Sequence, residues 1–166
     1  FAMGQQAIYM QVTVDGEVLK GQCTDVDHKD WCNIRRYYQE LSYSFDARES
    51  KANSDPVHGP FVVIKEIDSA SPNFYEALVK RKVVDKVELQ FYRDNPKSGL
   101  KEHYFQIVME DGRVVWARPH TPMPSEMTEF TPPNMEEIGF AYRKISWDWL
   151  HDATKATTFD FDDQNA

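Results

Sequence analysis

The chain has 166 residues, of which 28% are charged, and its formal net charge is −8 at pH 7. This acidic balance argues against tight nucleic-acid binding, which usually leaves a basic footprint in the sequence. No apolar run approaches the roughly 20 residues that a membrane-spanning helix needs, so we expect no membrane insertion. The length suits one domain with a single core, because domains commonly have about 100–200 residues.

The first part of the chain is dominated by strand patterns. Apolar and polar residues alternate over 8–14, which predicts a half-buried strand that ends at the Asp15-Gly16 turn. A second long strand is predicted over 34–45, where both faces carry a mixture of polar and apolar residues. The polar stretch 47–59 predicts a long loop, a kind of segment that is often functional, and 61–64 predicts a short buried strand.

One helix is predicted after this strand. Ser71 suits the position that caps a helix N-terminus, and Pro72 suits the first helical position. Phe74, Ala77 and Leu78 follow at the spacing that places apolar side chains on one face. A helix of about ten residues is too short to be stable alone, so we expect it to pack against the strands.

The strand alternation returns after the helix. It predicts strands over 87–92 and 104–109, which are separated by a turn at 95–99. The pair Asp111-Gly112 is a strong signal for a two-residue hairpin turn. We therefore expect the chain to reverse there and to continue in a return strand that holds 114–116.

The C-terminal part contains a proline-rich stretch over 119–133, which predicts a second long loop. A final strand is predicted over 138–149, with a bulge or bend near 143–144, where the apolar alternation slips by one residue. The polar, acidic segment 153–166 predicts a frayed tail, with its two phenylalanines docking on a surface that the sequence does not identify. The pattern as a whole is mainly β: a small antiparallel two-sheet barrel or sandwich with one short α-helix, spanning 1–152.

Cys23, His28 and Cys32 lie in the densest polar segment of the chain. Thiolate and imidazole are ligands that zinc prefers, but structural zinc sites almost always have four ligands, so we predict no metal. A disulfide between the two cysteines would need an oxidising compartment. No secretory signal pattern stands at the N-terminus, where we expect residues 1–6 to be flexible or partly a cloning remnant. We therefore favour free cysteines that are at least half-buried.

His28 stands close to Asp27 and Asp30, an arrangement that resembles half of a hydrolase site. A hydrolase also needs a nucleophile within reach of its base and an oxyanion hole that faces both. The sequence has no Gly-x-Ser-x-Gly turn, and its seven glycines are scattered rather than gathered in a phosphate-binding loop. We therefore predict no catalytic residue, no cofactor and no enzyme activity, and we interpret His28 as a loop residue that caps backbone groups.

Aromatic residues are unusually frequent: the chain has four Trp, eight Tyr and ten Phe. Part of this set must form the core, and the remainder suits a protein–protein contact, where aromatic residues are enriched. The exposed edges of an open sheet also invite pairing with another chain. The alternative is a monomeric β-barrel that binds a small ligand, with Trp116, Trp147 and Trp149 lining its pocket.

Several segments, in the same order along the chain, resemble the hemolysin-coregulated proteins (Hcp), the tube subunits of the type VI secretion system. Each segment alone is a weak signal, whereas the ordered set, between residues 8 and 149, is fairly specific. The segments are 20–31 (Lys-Gly-Gln-Cys-Thr-Asp-Val-Asp-His-Lys-Asp-Trp), 64–74 (Ile-Lys-Glu-Ile-Asp-Ser-Ala-Ser-Pro-Asn-Phe), 88–92, 102–105, 136–138 and 142–147 (Tyr-Arg-Lys-Ile-Ser-Trp).

The resemblance implies a two-sheet β-barrel that assembles as a hexameric ring, with rings stacked into a hollow tube. Such a tube is propelled into a target cell by a contractile sheath and carries small effector proteins in its bore. The implied partners are other copies of the chain, the sheath, baseplate and spike proteins, and small effectors. The implied location is the bacterial cytoplasm, followed by secretion without a signal peptide. A tail-tube subunit of a phage is the runner-up, because it shares the architecture.

Two sets of residues are candidates for roles in such an assembly. The long loop over 47–59 resembles the extended loop that reaches toward a neighbouring ring. We expect ring-to-ring contacts from its charged and imidazole side chains, namely Arg48, Glu49, Lys51, Asp55 and His58. A hydrophobic bore would hold cargo in place, so we expect mixed polar positions to face it, namely Arg36, Glu40 and Ser42.

Overall fold

The computed structural model describes residues 6–123 and 133–163, and strands account for most of its regular structure. The mainly β fold predicted from the sequence is confirmed. The single α-helix is α1 (Ser71–Val79), and a short 3-10 helix spans Phe161–Asp163. The strands are β1 (Ala7–Val14), β2 (Glu17–Val18), β3 (Cys32–Ile34), β4 (Arg36–Tyr38), β5 (Leu41–Ser42), β6 (Phe45–Asp46), β7 (Lys51–Ala52), β8 (Val57–His58), β9 (Phe61–Glu66), β10 (Val84–Asp94), β11 (Lys101–His120), β12 (Met135–Ala141), β13 (Lys144–Trp149) and β14 (Lys155–Asp160).

Two antiparallel sheets share the 20-residue strand β11. The first half of β11 pairs with β10 and β13, and its second half pairs with β12, which is followed by β9 and β4. Strand β3 pairs with β1, and β4 pairs with β9, although only Arg35 separates β3 from β4. The hydrogen-bonded path does not close, but this short segment connects its two sides, so the sheets form a small barrel around one core.

The expected hairpin at Asp111-Gly112 is wrong, because β11 continues through this pair without reversing its direction. Asp111 has a positive φ of 52°, and at this point the strand leaves one sheet and enters the other. A Cβ atom on Gly112 would lie 2.1 Å from the carbonyl oxygen of Ala141. The Asp-Gly pair therefore marks a corner in one strand, which needs the same left-handed backbone and the same small residue as a tight turn.

The long strand expected over 34–45 is also wrong, because this segment contains the end of β3, all of β4 and β5, and the start of β6. The loop expected over 47–59 belongs to a hairpin instead. Strand β5 pairs with β8, and β6 pairs with β7, so residues 39–59 leave the barrel and return to it as a narrow two-stranded projection. We call residues 39–59 the arm. The mixture of polar and apolar residues on both faces reflects a segment with no sheet on either side.

The helix begins one residue earlier than the capping signal suggests, so the prediction that Ser71 is the N-cap is wrong. Ala70 occupies the N-cap without a side-chain hydrogen bond, and Pro72 lies in the first turn as expected. Phe74 and Ala77 are fully buried in the core and Leu78 is partly buried, so the predicted apolar face is confirmed. No helix in the described part of the chain is both long and apolar enough to span a membrane.

The C-terminal segment is a strand where the composition suggested a frayed end. Residues Lys155–Asp160 pair with β13 over its whole length, so fraying is wrong for these residues. The expected docking of Phe159 and Phe161 is confirmed, since both pack against the core. The slip near 143–144 is the bend between β12 and β13. The division of the chain at residue 152 stays a prediction. Positions 1–5, 124–132 and 164–166 lie outside the described residues, and with them most of the expected flexible segment 1–6, most of the loop expected over 119–133 and the end of the expected tail.

Candidate functional site

The arm is held together by few contacts beyond its two short ladders. The backbone N–H of Asn53 donates to the carbonyl oxygen of Ser44 at 3.0 Å, and the Ser44 N–H donates to the hydroxyl of Ser54 at 2.8 Å. The Gly59 N–H donates to the carbonyl of Glu40 at 2.9 Å and closes the arm where it meets the barrel. The arm therefore projects as a thin hairpin that the barrel core does not support.

Four large apolar side chains are exposed on this arm. Several exposed apolar side chains on one projecting segment commonly mark a site that another molecule covers, because their exposure to water is unfavourable. The relative exposures are 52% for Leu41, 54% for Tyr43, 57% for Phe45 and 59% for Val57. These residues give the arm the composition of an interface rather than of a solvated loop.

A cleft of about 1120 Å³ lies where the arm meets the barrel. Apolar residues of the arm and of the barrel line it, including Leu41, Val115 and Trp116, and Val115 is itself exposed. Two of the three positions expected to face a bore, Glu40 and Ser42, also line this cleft. The third, Arg36, is exposed on β4 and does not line this cleft.

The residues expected to form ring-to-ring contacts do not all lie together. Arg48 and Glu49 are in the turn at the tip of the arm, where the carboxylate of Asp46 accepts the Arg48 N–H at 2.9 Å. Lys51 follows in β7, and its ammonium group lies 2.8 Å from a carboxylate oxygen of Glu49. Asp55 is exposed between β7 and β8.

His58, the fifth residue of that set, lies at the base of the arm and is half-buried. Its Nδ1 atom lies 2.6 Å from the hydroxyl of Tyr142, and its ring contacts Phe159 and Phe161 at centroid distances of 4.5 and 5.1 Å. The side chain of Gln39 donates to the same hydroxyl at 2.7 Å. Burial lowers the pKa of His58 and raises the pKa of Tyr142. Sequence reasoning missed Gln39 and Tyr142, because nothing local pairs them with a histidine so far along the chain.

His28 fixes the loop before β3 to the main sheet. Its two ring nitrogens lie 3.0 Å from a carboxylate oxygen of Asp25 and 2.8 Å from the amide oxygen of Gln90, and its ring stacks on Tyr9 at 4.1 Å. Lys101 contacts Asp25 and the Tyr9 hydroxyl, both at 3.1 Å. The contact with His28, followed by that with Lys101, lowers the pKa of Asp25 to about 2. His28 is thus bound through its side chain, whereas the sequence suggested that it caps backbone groups.

A buried ionic network attaches the start of α1 to the barrel. Lys65 and Glu136 are fully buried on neighbouring strands, and their charged groups lie 2.5 Å apart. Lys65 also contacts Asp68 at 2.9 Å, and the Ser71 hydroxyl donates to Glu136 at 2.6 Å. Tyr75 donates to the other oxygen of Glu136, and burial raises the pKa of this tyrosine. Ser71 therefore serves this network rather than the helix cap.

The two cysteines are both buried and free. Burial, together with the nearby Asp68 carboxylate, raises the pKa of Cys32 to about 12, so its thiol is protonated and poorly nucleophilic at neutral pH. Within residues 6–123 and 133–163, no group of three or more His, Cys, Asp and Glu side chains is arranged to hold a metal ion.

The three tryptophans of the alternative ligand-binding function do not share one pocket. Trp116 lines the cleft at the base of the arm. Trp149 lines a separate groove of about 490 Å³ between β1, β3, β10 and β11. Trp147 packs partly buried against the core. The expectation that these side chains line a common pocket is therefore wrong.

Comparison with known proteins agrees with this architecture. The family model described as "Type VI secretion system effector, Hcp" matches residues 9–149. A protein named "Major exported protein" from Pseudomonas aeruginosa is 32% identical over 122 residues, which are 72% of this chain and 69% of that protein.

Two solved structures share the fold. Hcp1 of E. coli EAEC 042 is 23% identical with a TM-score of 0.78, covering 93% of this chain and 98% of that chain. Secreted protein Hcp3 from Pseudomonas aeruginosa is 25% identical with a TM-score of 0.73, covering 95% and 99%. The family match over most of the chain, together with the barrel and its single helix, shows that this protein belongs to the Hcp family of the type VI secretion system.

Proposed function

We propose that this protein is a structural subunit of the type VI secretion tube, in which six copies form a ring and rings stack into a hollow tube. The observation that carries the proposal is the arm, which exposes more than half of the surface of four large apolar side chains. Such a projection is unfavourable in an isolated protomer and becomes favourable when another copy covers it. Membership of the Hcp family supports this role.

The strand edges also support a ring. Within the described residues, β14 pairs only with β13, and β11 beyond Gly112 pairs only with β12. Unpaired strand edges offer backbone hydrogen bonds to another chain. The two edges belong to different strands, so a contact between them joins unlike surfaces, and repeated contacts of this kind close into a ring when the rotation permits.

The polar positions Arg36, Glu40 and Ser42 face the bore of the tube in this proposal. All three are exposed, and none adds a large apolar surface. A bore of this composition lets small effector proteins travel without adhering, because little apolar area would be buried on contact. The tube assembles in the bacterial cytoplasm, with the sheath, baseplate and spike proteins as further partners. Export from the cell follows, and the name of the relative from Pseudomonas aeruginosa, "Major exported protein", supports this step.

Charge reversal on the arm tests the stacking of rings. We expect Lys51→Glu and Asp55→Lys to reduce the number and length of tubes seen by electron microscopy, while sedimentation still shows single rings. Like charges brought together at a contact destabilise it, whereas the barrel core is unaffected. Lys97→Glu, in the exposed turn after β10, is the control for the same change of charge.

Two results would count against these assignments. If both arm variants form tubes as readily as the native protein, the arm does not make the ring-to-ring contact. If the native protein sediments as a monomer at high concentration, the tube function itself is wrong, and a monomeric binding protein becomes the better interpretation.

A further inference from the structure

The base of the arm contains a chain of hydrogen bonds whose direction is fixed by its members. The amide nitrogen of Gln39 lies 3.0 Å from the carbonyl oxygen of Gly59, which can only accept, so this nitrogen carries the donated hydrogens. The same nitrogen lies 2.7 Å from the hydroxyl of Tyr142, which therefore accepts from Gln39. The single hydroxyl hydrogen of Tyr142 is then free to be donated to His58, 2.6 Å away.

This direction assigns the protonation state of His58. If Tyr142 donates to Nδ1, that nitrogen carries no hydrogen, and the imidazole is neutral with its proton on Nε2. A second proton on Nδ1 would point an N–H at the hydroxyl of Tyr142, so the hydroxyl hydrogen would have to turn away from His58 and the oxygen would have to accept from both neighbours. The chain in its present direction, from Gln39 through Tyr142 to His58, therefore requires a neutral imidazole.

The C-terminal segment holds His58 from the opposite side. Phe159 of β14 and Phe161 of the 3-10 helix contact the imidazole ring and each other, with their own centroids 4.8 Å apart. The Phe161 N–H donates to the carbonyl oxygen of Arg143 at 2.9 Å, and this anchors the segment to the bend before β13. Two apolar rings favour a neutral imidazole, because a buried charge loses its hydration.

We propose that Tyr142 and His58 are positioning residues that form a pH-dependent latch, which holds the arm against the barrel while His58 is neutral and releases it when His58 is protonated. The latch lies between the arm and the barrel, so its state decides how freely the exposed apolar side chains of the arm move. Its consequence for ring stacking rests on the proposed tube function, whereas the movement of the arm can be measured without it.

The charged residues next in sequence to Tyr142, Phe159 and Phe161 make other contacts, and burial is the cause that shifts the pKa of His58. Arg143 pairs with Asp162, and the Asp160 carboxylate accepts the N–H of Asp162 at 2.8 Å. Tyr142, raised in pKa by burial, stays neutral in the acidic range. A cavity of about 110 Å³ adjoins His58 and Phe161, which is room enough for water to deliver a proton.

The sign of the pH dependence follows from burial. Burial lowers the pKa of His58 below its ordinary value of 6.5, so the unfolded or released form binds the proton more readily. The contribution of the latch is fully present above that value and is lost as the pH falls through the lowered pKa. Mild acidification should therefore loosen the arm before it affects the barrel.

Spin-label distances test the latch directly. We would place labels at Ala47→Cys, at the arm tip, and at Ser98→Cys, in the turn after β10, because both positions are exposed and the native cysteines are buried. Labelled protein is diluted with excess unlabelled protein, so that only distances within one protomer are measured. We expect one narrow distance distribution above neutral pH and a broad one in mild acid.

Three substitutions separate the latch from a merely structural contact. Tyr142→Phe keeps the ring but removes the hydroxyl, so we expect the released fraction above neutral pH to rise about tenfold, which corresponds to about 1.4 kcal/mol. His58→Asn keeps an acceptor near the Nδ1 position without a titrating ring, so its distribution should stay narrow at both pH values. His120→Asn changes a histidine at the far end of β11 and should leave the native pH response unchanged.

The latch would be overturned if Tyr142→Phe gave the native narrow distribution, or if His58→Asn still broadened in acid. Either result stands apart from the tube function, since the distances are measured within one protomer whether or not rings stack. Tubes that fail to form from a protein with an intact latch would count against the tube function alone.

Discussion

At the scale of single residues, the stability of the fold depends on the pairing of two buried charged side chains, Lys65 and Glu136. Both side chains are fully buried, and they are tolerated because they neutralise each other and because Asp68, Ser71 and Tyr75 complete the network. We expect Lys65→Met to lower the free energy of unfolding by about 3–5 kcal/mol, because it leaves a carboxylate buried without its cation. Chemical denaturation followed by tryptophan fluorescence measures this change.

Two further variants decide whether charge or packing causes this loss. The double variant Lys65→Met with Glu136→Gln removes both charges but keeps a hydrogen-bonding side chain near Ser71, so we expect most of the stability to return. Lys80→Met breaks an exposed ion pair with Glu76 and should cost less than about 1 kcal/mol. An equal loss in both single variants would contradict the role of burial.

The Asp25 carboxylate should give the fold a distinct acid dependence. Its pKa is lowered from 3.8 to about 2, so its contribution to stability is present above 3.8 and is lost as the pH falls toward 2. Urea unfolding midpoints of the native protein and of Asp25→Asn should therefore differ above 3.8 and converge near 2. A constant difference over this range would show that the contact with His28 does not depend on the ionised carboxylate.

Ser71 shows that a local sequence pattern can locate a helix without predicting the hydrogen-bond partner of one of its side chains. The pattern Ser-Pro before an apolar stripe located the helix to within one residue, because capping signals are local. The actual partner of the Ser71 hydroxyl is a carboxylate 65 positions away. Nothing in the local pattern indicates such a distant partner. For the same reason, the contact between His58 and Tyr142 could not be predicted from the sequence.

At the scale of elements, the corner in β11 depends on Gly112. A Cβ atom there would meet the backbone carbonyl of Ala141 at 2.1 Å, and a backbone atom cannot move aside as a flexible side chain can. We expect Gly112→Ala to lower the free energy of unfolding by about 3 kcal/mol, the upper end of what overpacking costs. Thermal or chemical denaturation measures the loss.

Gly99 provides the matched control for this corner. It has a positive φ of 70° but open space around its Cα, so Gly99→Ala tests the backbone conformation without a steric clash. We expect a cost of about 1 kcal/mol from the left-handed conformation alone. Equal costs for the two glycine variants would show that the close approach to Ala141 is not what fixes the corner.

Strands with one buried face could be predicted from the sequence, and strands without one could not. The alternation over 8–14 and 87–92 located β1 and most of β10, because burial on one side leaves a period of two. The arm has no buried face, so its four short strands left no such period over 39–59. An Asp-Gly pair suits a hairpin and a strand corner equally, so only the pairing with β12 distinguishes them.

At the scale of the whole molecule, the fold was predictable because the resembling segments keep their order along the chain. Those segments contribute to both sheets and to the helix, so together they specify one topology. The candidate site was only partly predictable: the sequence indicated the segment 47–59 and its charged residues, whose role in ring stacking stays a prediction. Two features could not be predicted from the sequence: the exposed apolar side chains of the arm, and the contacts at its base. Those contacts join β8, the bend after β12 and β14, which lie far apart along the chain.

The exposed aromatic side chains of the arm should contribute most of the energy of self-association. Fully burying one such side chain is worth about 1.5–3 kcal/mol, and about half of each is already buried in the protomer, so Tyr43→Ser or Phe45→Ser should weaken association about threefold to tenfold. Sedimentation velocity over a range of concentrations measures this as a shift in the concentration at which large particles appear. Val79→Ser, on the exposed surface of α1, removes an apolar side chain that is 74% exposed and should leave that concentration unchanged. An equal shift in all three variants would mean that general surface hydrophobicity, and not the arm, drives the assembly.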